Sequence, residues 1–130
     1  MQPDTSQSTL SPFKGRRGLK RIFLATGHSF SGLVAALRGE AAFRQMLALA
    51  VVLLPVAFML DVNRAERALL VTVLLLGLVV ELINSAIEAA IDRISLELHP
   101  LSKNAKDMGS AAQMVTLVII ATVWLIVLLG

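Results

Sequence analysis

The chain has 130 residues, of which 56% are hydrophobic and only 16% are charged, so it has room for one domain. A water-soluble domain of this size would not need so much apolar surface, and the composition therefore indicates an integral membrane protein. The lack of cysteine excludes disulfides and thiolate chemistry, and no nucleic-acid-binding motif accompanies the net charge of +3.

The N-terminal part is predicted to comprise a tail and a surface helix. Residues 1–17 are rich in Gln, Ser, Thr and Pro, which predicts a disordered tail, and no long apolar run follows that would make it a signal peptide. Residues 18–40 form an amphipathic pattern, typical of a helix that lies in the membrane interface. We expect this helix to be broken near Gly27 and Gly32.

Three apolar segments follow, at residues 41–60, 68–94 and 108–130. Each is long enough to cross a hydrocarbon layer of ~30 Å at ~1.5 Å per residue. Polar links separate them at 61–67 and 95–107, and Pro100 is expected to interrupt any helix in the second link. The prediction is an all-α membrane protein whose single membrane domain, residues 18–130, has a surface helix and three transmembrane helices.

The distribution of Lys and Arg predicts the orientation of these spans. Seven of the twelve lie at or before Arg44, two lie in the first link, and three lie between Arg93 and the end of the second link. Three spans place the N-terminus and the second link on one side, which then holds ten of the twelve. By the positive-inside rule, this side is the cytoplasm.

The second span carries a row of polar side chains at its cytoplasmic end. Their spacing of three and four residues places them on one helix face. Ionisable groups in a membrane span cost several kcal/mol unless they have partners, so they indicate a functional site. Two plainer interpretations remain open, that the first glutamate pairs with a cation of a neighbouring subunit and that the asparagine joins helices. We also expect the aspartate to pair with Arg93. The row consists of Glu81, Asn84, Ser85, Glu88 and Asp92.

Two sequence motifs in this region closely resemble the prokaryotic diacylglycerol kinase family. They are Glu81–Arg93 (ELINSAIEAAIDR) and Lys106–Ala112 (KDMGSAA), and two upstream stretches, Ala25–Leu33 and Glu40–Gln45, also resemble it. The resemblance implies a homotrimeric enzyme of the bacterial inner membrane, with sites shared between neighbouring subunits. It would transfer the γ-phosphate of MgATP to the primary hydroxyl of diacylglycerol, giving phosphatidic acid.

The resemblance also implies roles for individual residues. Glu81 would be the general base, Asn84 would assist it, and Glu40 and Glu88 would bind Mg²⁺. The residues implied in ATP binding are Arg21, His28, Glu40, Glu88, Glu97, His99, Lys106 and Asp107. Those implied in lipid binding are Arg21, Ala25, Thr26, Gly27, His28, Ser29, Phe30, Glu81, Ser110 and Trp124.

Other functions compete with this interpretation. A polyprenol (undecaprenol) kinase of the same fold would share the residues around Glu81. An ion- or proton-coupled transporter would space its carboxylates across the whole bilayer, whereas here they lie at one end. A non-enzymatic membrane scaffold would not require Glu81. No nucleic acid is expected as a partner.

Overall fold

The computed structural model describes residues 18–130, and this part of the chain is built from helices without β-strands. The helices are α1 (Leu19–Gly39), α2 (Ala41–Met59), α3 (Arg64–Ile94) and α4 (Pro100–Leu129). They confirm the predicted all-α fold, while the predicted tail lies outside the described residues. Two compact units are present, one ending at Val34 and the other comprising Ala35–Gly130.

The first unit contains most of α1, which begins after Gly18. That glycine has φ +73°, a value that L side chains rarely adopt, so it marks the start of the helix. The helix then continues through Gly27 and Gly32, and the predicted breaks are wrong. A glycine lowers helix stability by ~1 kcal/mol relative to alanine, but it keeps its backbone N–H and can therefore continue a helix.

The remaining three helices are long and apolar enough to cross a membrane, as predicted. α3 begins at Arg64, four residues before the predicted start. Asn63 and Glu66 explain this, because they form a capping box. The Asn63 side chain accepts a hydrogen bond of 2.8 Å from the Glu66 N–H, and the Glu66 carboxylate accepts one of 3.1 Å from the Asn63 N–H.

α4 begins at Pro100, so the expectation that this proline interrupts the helix is wrong. A proline in the first turn lacks only an N–H that would have no partner there, and its fixed φ suits the helix. His99 caps the same end, since its Nδ1 accepts a 3.1 Å hydrogen bond from the Leu101 N–H. The second link is therefore only residues 95–99.

α3 packs against both α2 and α4. The three helices converge at Gly77, where a Cβ atom would lie 2.5 Å from the Met46 Cε and 3.2 Å from the Ile120 Cδ1. Glycine at this position therefore allows the close approach. The buried side chains of the core are Met46, Ala57, Leu70, Val73, Leu74, Ile120 and Trp124.

Arg67 fixes the connection between α2 and α3. Its guanidinium donates hydrogen bonds to the carbonyl oxygens of Phe58 at 2.8 Å, Leu60 at 3.2 Å and Val62 at 3.1 Å. Carbonyls at the end of a helix have no partner within the helix, and Arg67 supplies one. Arg67 of α3 thus holds the end of α2 and the connection in place.

Candidate active site

The first three residues of the polar row of α3, Glu81, Asn84 and Ser85, lie on the face that packs in the protein interior. Leu70, Leu74 and Gly77 form the apolar part of this face, and Glu81 and Ser85 continue it at four-residue spacing. The exposed fraction of Glu81 is only 2%, and that of Ser85 is 8%. The chain itself therefore encloses the Glu81 side chain, because burial here is reached without any neighbouring subunit.

Two further carboxylates lie near Glu81. They belong to Glu88 and Glu40. Glu88 is two turns further along α3, and Glu40 is the residue that joins α1 to α2. Both side chains are only partly buried. Within residues 18–130 the ion pairs are Lys103–Asp107 and Lys106–Asp92, so none of the three glutamates is neutralised by a side chain of that stretch.

Asn84 lies beside Glu81 in a space that Gly109 of α4 leaves open. A Cβ on Gly109 would lie 2.1 Å from the Asn84 Oδ1, so these helices approach closely at this point. The Asn84 Oδ1 and the Ser85 Oγ are buried and have no hydrogen-bond partner among the described residues. The hydrogen-bonding capacity of these two atoms is therefore not used within this part of the chain.

A cavity of about 710 Å³ lies where α3 ends and α4 begins. This volume is in the range of sites that bind small molecules. Its lining includes four of the eight residues implied in ATP binding, namely Glu97, His99, Lys106 and Asp107. The structure therefore brings these four together around one space.

The charges at this cavity are paired differently from the prediction. Asp92 accepts a hydrogen bond from the Lys106 Nζ at 2.7 Å, so the expected pair with Arg93 is wrong. Adjacent side chains on a helix point about 100° apart, and the one that faces α4 is Asp92. Asp107 lies two turns inside α4, and its carboxylate pairs with Lys103 at 2.5 Å.

The other predicted site residues lie elsewhere. In the unit that ends at Val34, Arg21 and residues 25–30 are all exposed on α1. On α4, Ser110 is exposed, whereas Trp124 has an exposed fraction of 8% and belongs to the core. These two positions are fourteen residues apart, or ~21 Å along the helix, so the structure does not bring them together.

Two residues of this region were missed by the sequence reasoning. Lys103 lines the cavity, and its place one turn before Lys106 and Asp107 could have indicated it. Gln113 donates a 3.3 Å hydrogen bond from its Nε2 to the Gly77 carbonyl across the α3–α4 interface. A glutamine in an apolar span is a signal for such a contact, but the sequence does not give its partner.

Known proteins resemble this chain over most of its length. The family model of prokaryotic diacylglycerol kinase matches residues 27–128. A diacylglycerol kinase of Pseudomonas aeruginosa is 68% identical over 120 residues, which cover 92% of this chain and 98% of that protein. The diacylglycerol kinase of Escherichia coli K12 is 45% identical over 111 residues, covering 85% and 91%, and that of Haemophilus influenzae is 41% identical over 107 residues, covering 82% and 91%. The chain therefore belongs to the prokaryotic diacylglycerol kinase family, and it is an enzyme, a kinase that phosphorylates an alcohol group.

Proposed function

We propose that the protein transfers the γ-phosphate of ATP to the primary hydroxyl of diacylglycerol at the membrane surface, giving phosphatidic acid. The relatives support the substrate, since they are named diacylglycerol kinases. The observation that carries the proposal is the position of Glu81. It is 98% buried, two other carboxylates lie near it, and it is on the helix whose end forms the cavity.

In this proposal Glu81 is the general base. A primary alcohol is a weak nucleophile, and a carboxylate within hydrogen-bond reach removes its proton as it attacks. The alcohol oxygen forms a bond to the γ-phosphorus, the bond from that phosphorus to the β–γ bridging oxygen breaks in line, and ADP leaves. The free Oδ1 and Oγ atoms of Asn84 and Ser85 make them suitable neighbours for orienting the hydroxyl.

We assign Glu40 and Glu88 to a magnesium ion that comes with the nucleotide. Within residues 18–130, no group of three or more acidic or histidine side chains is arranged to hold a metal ion alone. Magnesium in phosphotransferases is usually held by one or two carboxylates together with phosphate oxygens, so these two partly exposed glutamates fit it. When bound, the ion neutralises charge on the phosphates.

We place the nucleotide in the cavity between α3 and α4. Lys106 would supply positive charge to the phosphates, and its ammonium group is already held in place by Asp92. Glu97, His99 and Asp107 line the same space. His99 has one ring nitrogen available, because its Nδ1 caps α4. Two residues of α1, Arg21 and His28, complete the nucleotide assignment.

The lipid acceptor is assigned to α1 and to parts of α3 and α4. Arg21 and residues 25–30 are exposed on a helix that carries exposed apolar side chains such as Phe23, as a surface that contacts lipid requires. Glu81 and Ser110 would contact the lipid headgroup. Trp124 packs mostly in the core, and in this proposal the remaining exposed edge of its side chain contacts the acyl chains.

The active form is proposed to be a homotrimer in the inner membrane, with a cytoplasmic N-terminus. Inside one chain, only 22%, 39% and 17% of the most apolar windows of α2, α3 and α4 are buried. The remaining apolar surface must contact lipid or neighbouring subunits. Ten of the twelve Lys and Arg residues on one side support the orientation.

The test is phosphate transfer from radiolabelled ATP by the purified protein in detergent micelles that contain diacylglycerol or undecaprenol. The variant Glu81→Gln removes the base but keeps the size of the side chain. It should lower kcat by roughly 10²- to 10⁴-fold, the usual contribution of general base catalysis, without loss of folding or assembly.

The matched control is Glu66→Gln, at the other end of the same helix. A glutamine keeps the capping box, so this variant should retain full activity. Transfer to undecaprenol in preference to diacylglycerol would overturn the substrate assignment. Unchanged kcat in Glu81→Gln would overturn the role of the base.

A further inference from the structure

The junction between α1 and α2 is a break of one residue, and that residue is Glu40. Its backbone is extended, with φ −121° and ψ 110°, between helices that end at Gly39 and begin at Ala41. Nothing in the local sequence requires this break. Gly39 does not have the positive φ of a glycine helix cap, no proline is present, and glutamate and alanine both favour helix.

The side chain of Arg44 compensates for the break. In an unbroken helix, the carbonyls of Leu37 and Arg38 would accept hydrogen bonds from the N–H groups four residues later, at Ala41 and Ala42. Here the Arg44 guanidinium takes their place, donating to the Leu37 carbonyl at 3.1 Å and to the Arg38 carbonyl at 3.2 Å. Of the three carbonyls that the break leaves without a helical partner, those of Leu37, Arg38 and Gly39, Arg44 thus binds two.

The same contact leaves Glu40 without a cation. On a continuous helix, Glu40 and Arg44 would be four residues apart, the spacing at which glutamate and arginine pair. In the structure Arg44 points to the α1 carbonyls, and Glu40 has no ion pair among residues 18–130. Its side chain also makes no capping hydrogen bond at the start of α2. The carboxylate is therefore available to another ligand.

We infer that Arg44 is a positioning residue that holds the α1–α2 junction open and keeps the Glu40 carboxylate free for the divalent cation. The inference rests on the proposed function, in which Glu40 binds that cation. Loss of Arg44 lets residues 37–44 join into one helix, and the carboxylate of Glu40 then moves away from its position near Glu81.

The experiment combines one disrupting and one restoring substitution. Arg44→Gln removes the guanidinium, since a glutamine side chain is too short to reach the Leu37 and Arg38 carbonyls. Ala41→Pro, added to that variant, should restore the break. A proline favours extended backbone at the residue before it, near the φ and ψ of Glu40, and is well tolerated as the first residue of a helix.

Two measurements that do not depend on activity report the result. The first is the ¹³Cα chemical shift of Glu40, which extended and helical backbone displace in opposite directions. Selective labelling of Gly–Glu pairs makes it accessible in every variant, since the chain has a single such pair, at 39–40. The second is binding of Mn²⁺, followed by electron paramagnetic resonance with a non-hydrolysable ATP analogue.

Arg44→Gln should move the Glu40 shift to the helical side and weaken Mn²⁺ binding by roughly 10- to 100-fold, the usual effect of losing a residue that orients a metal ligand. The added Ala41→Pro should restore both. Arg38→Gln removes a nearby exposed charge without touching the contact, so it should change neither.

The inference is overturned if Arg44→Gln leaves the shift and Mn²⁺ binding unchanged, or if Ala41→Pro fails to restore them. A failure of the proposed function would look different, because the wild type would then not phosphorylate lipid, whatever the state of the junction.

Discussion

Gly109 shows how the smallest residue determines the position of a functional side chain. The Asn84 Oδ1 occupies the space where a Cβ on residue 109 would lie, and Asn84 is buried next to Glu81. Because Asn84 has a short side chain with few rotamers, it cannot withdraw without leaving the site. The close packing of α4 on α3 therefore also fixes the position of Asn84 in the candidate active site.

We therefore expect Gly109→Ala to displace Asn84 or separate α3 from α4. Forcing an extra methyl into a packed interior costs about 1–3 kcal/mol, so both stability and kcat should fall. The measurement is unfolding by a denaturing detergent, together with the kinase assay.

Two other glycines serve as controls. Gly77→Ala meets the flexible end of Met46, which can move, and should cost less. Gly32→Ala meets no atom within 4 Å and should not reduce stability. An equal loss in all three variants would contradict this account of Gly109.

The sequence allowed the acidic residues to be predicted as a set, but not their partners. Periodicity placed Glu81 and Glu88 on one face, and the structure places Glu81 on the packing face. The partner of Asp92 could not be derived in this way. It is Lys106, fourteen residues away, and the contact exists only because α4 folds back along α3.

At the scale of the helices, the sequence prediction failed at helix starts, where a capping side chain lets the helix begin before its apolar run. The spans were predicted from hydropathy, which does not detect a polar first turn. α3 and α4 each begin several residues earlier than their apolar runs, at Arg64 and Pro100. In both cases a side chain just before the helix, Asn63 or His99, binds the free N–H groups. The order and number of the described helices could be predicted from periodicity and length alone.

The cap at the start of α3 can be tested by Asn63→Ala, which removes the acceptor for the Glu66 N–H. Losing such a cap usually costs ~1 kcal/mol. Resistance to unfolding by detergent should fall by about that amount, while kcat should remain unchanged because Asn63 lies at the opposite end of α3 from Glu88.

Asn63→Asp is the matched variant, since aspartate caps helices as well as asparagine does. It should keep the stability of the wild type. A fall in kcat for Asn63→Ala at full stability would show that this end of the helix acts on the site.

For the whole molecule, the central question is whether each site belongs to one subunit. Glu40 lies near Glu81 within one chain, yet both Glu40 and Glu88 are partly exposed. The proposed trimer places shared sites at subunit interfaces. Glu40 from one subunit would then act with Glu88 from the next.

Mixing two inactive variants shows whether each site is shared between subunits or lies within a single subunit. Glu40→Gln and Glu88→Gln subunits, unfolded and reassembled together in equal amounts, should regain activity, because some sites receive both native carboxylates. Random assembly of a closed ring gives about one quarter of wild-type activity if sites are shared. Each variant reassembled alone is the control, and a mixture no more active than these controls would place each site within a single subunit.

The bonds made by Arg67 have a consequence for biogenesis. In the proposed orientation its charge must be carried through the bilayer to the outer side. The guanidinium brings three carbonyl partners with it, from Phe58, Leu60 and Val62, so part of its lost hydration is replaced before it enters the lipid. Translocation as a preformed helical hairpin, rather than one helix after the other, is the route that this loop favours.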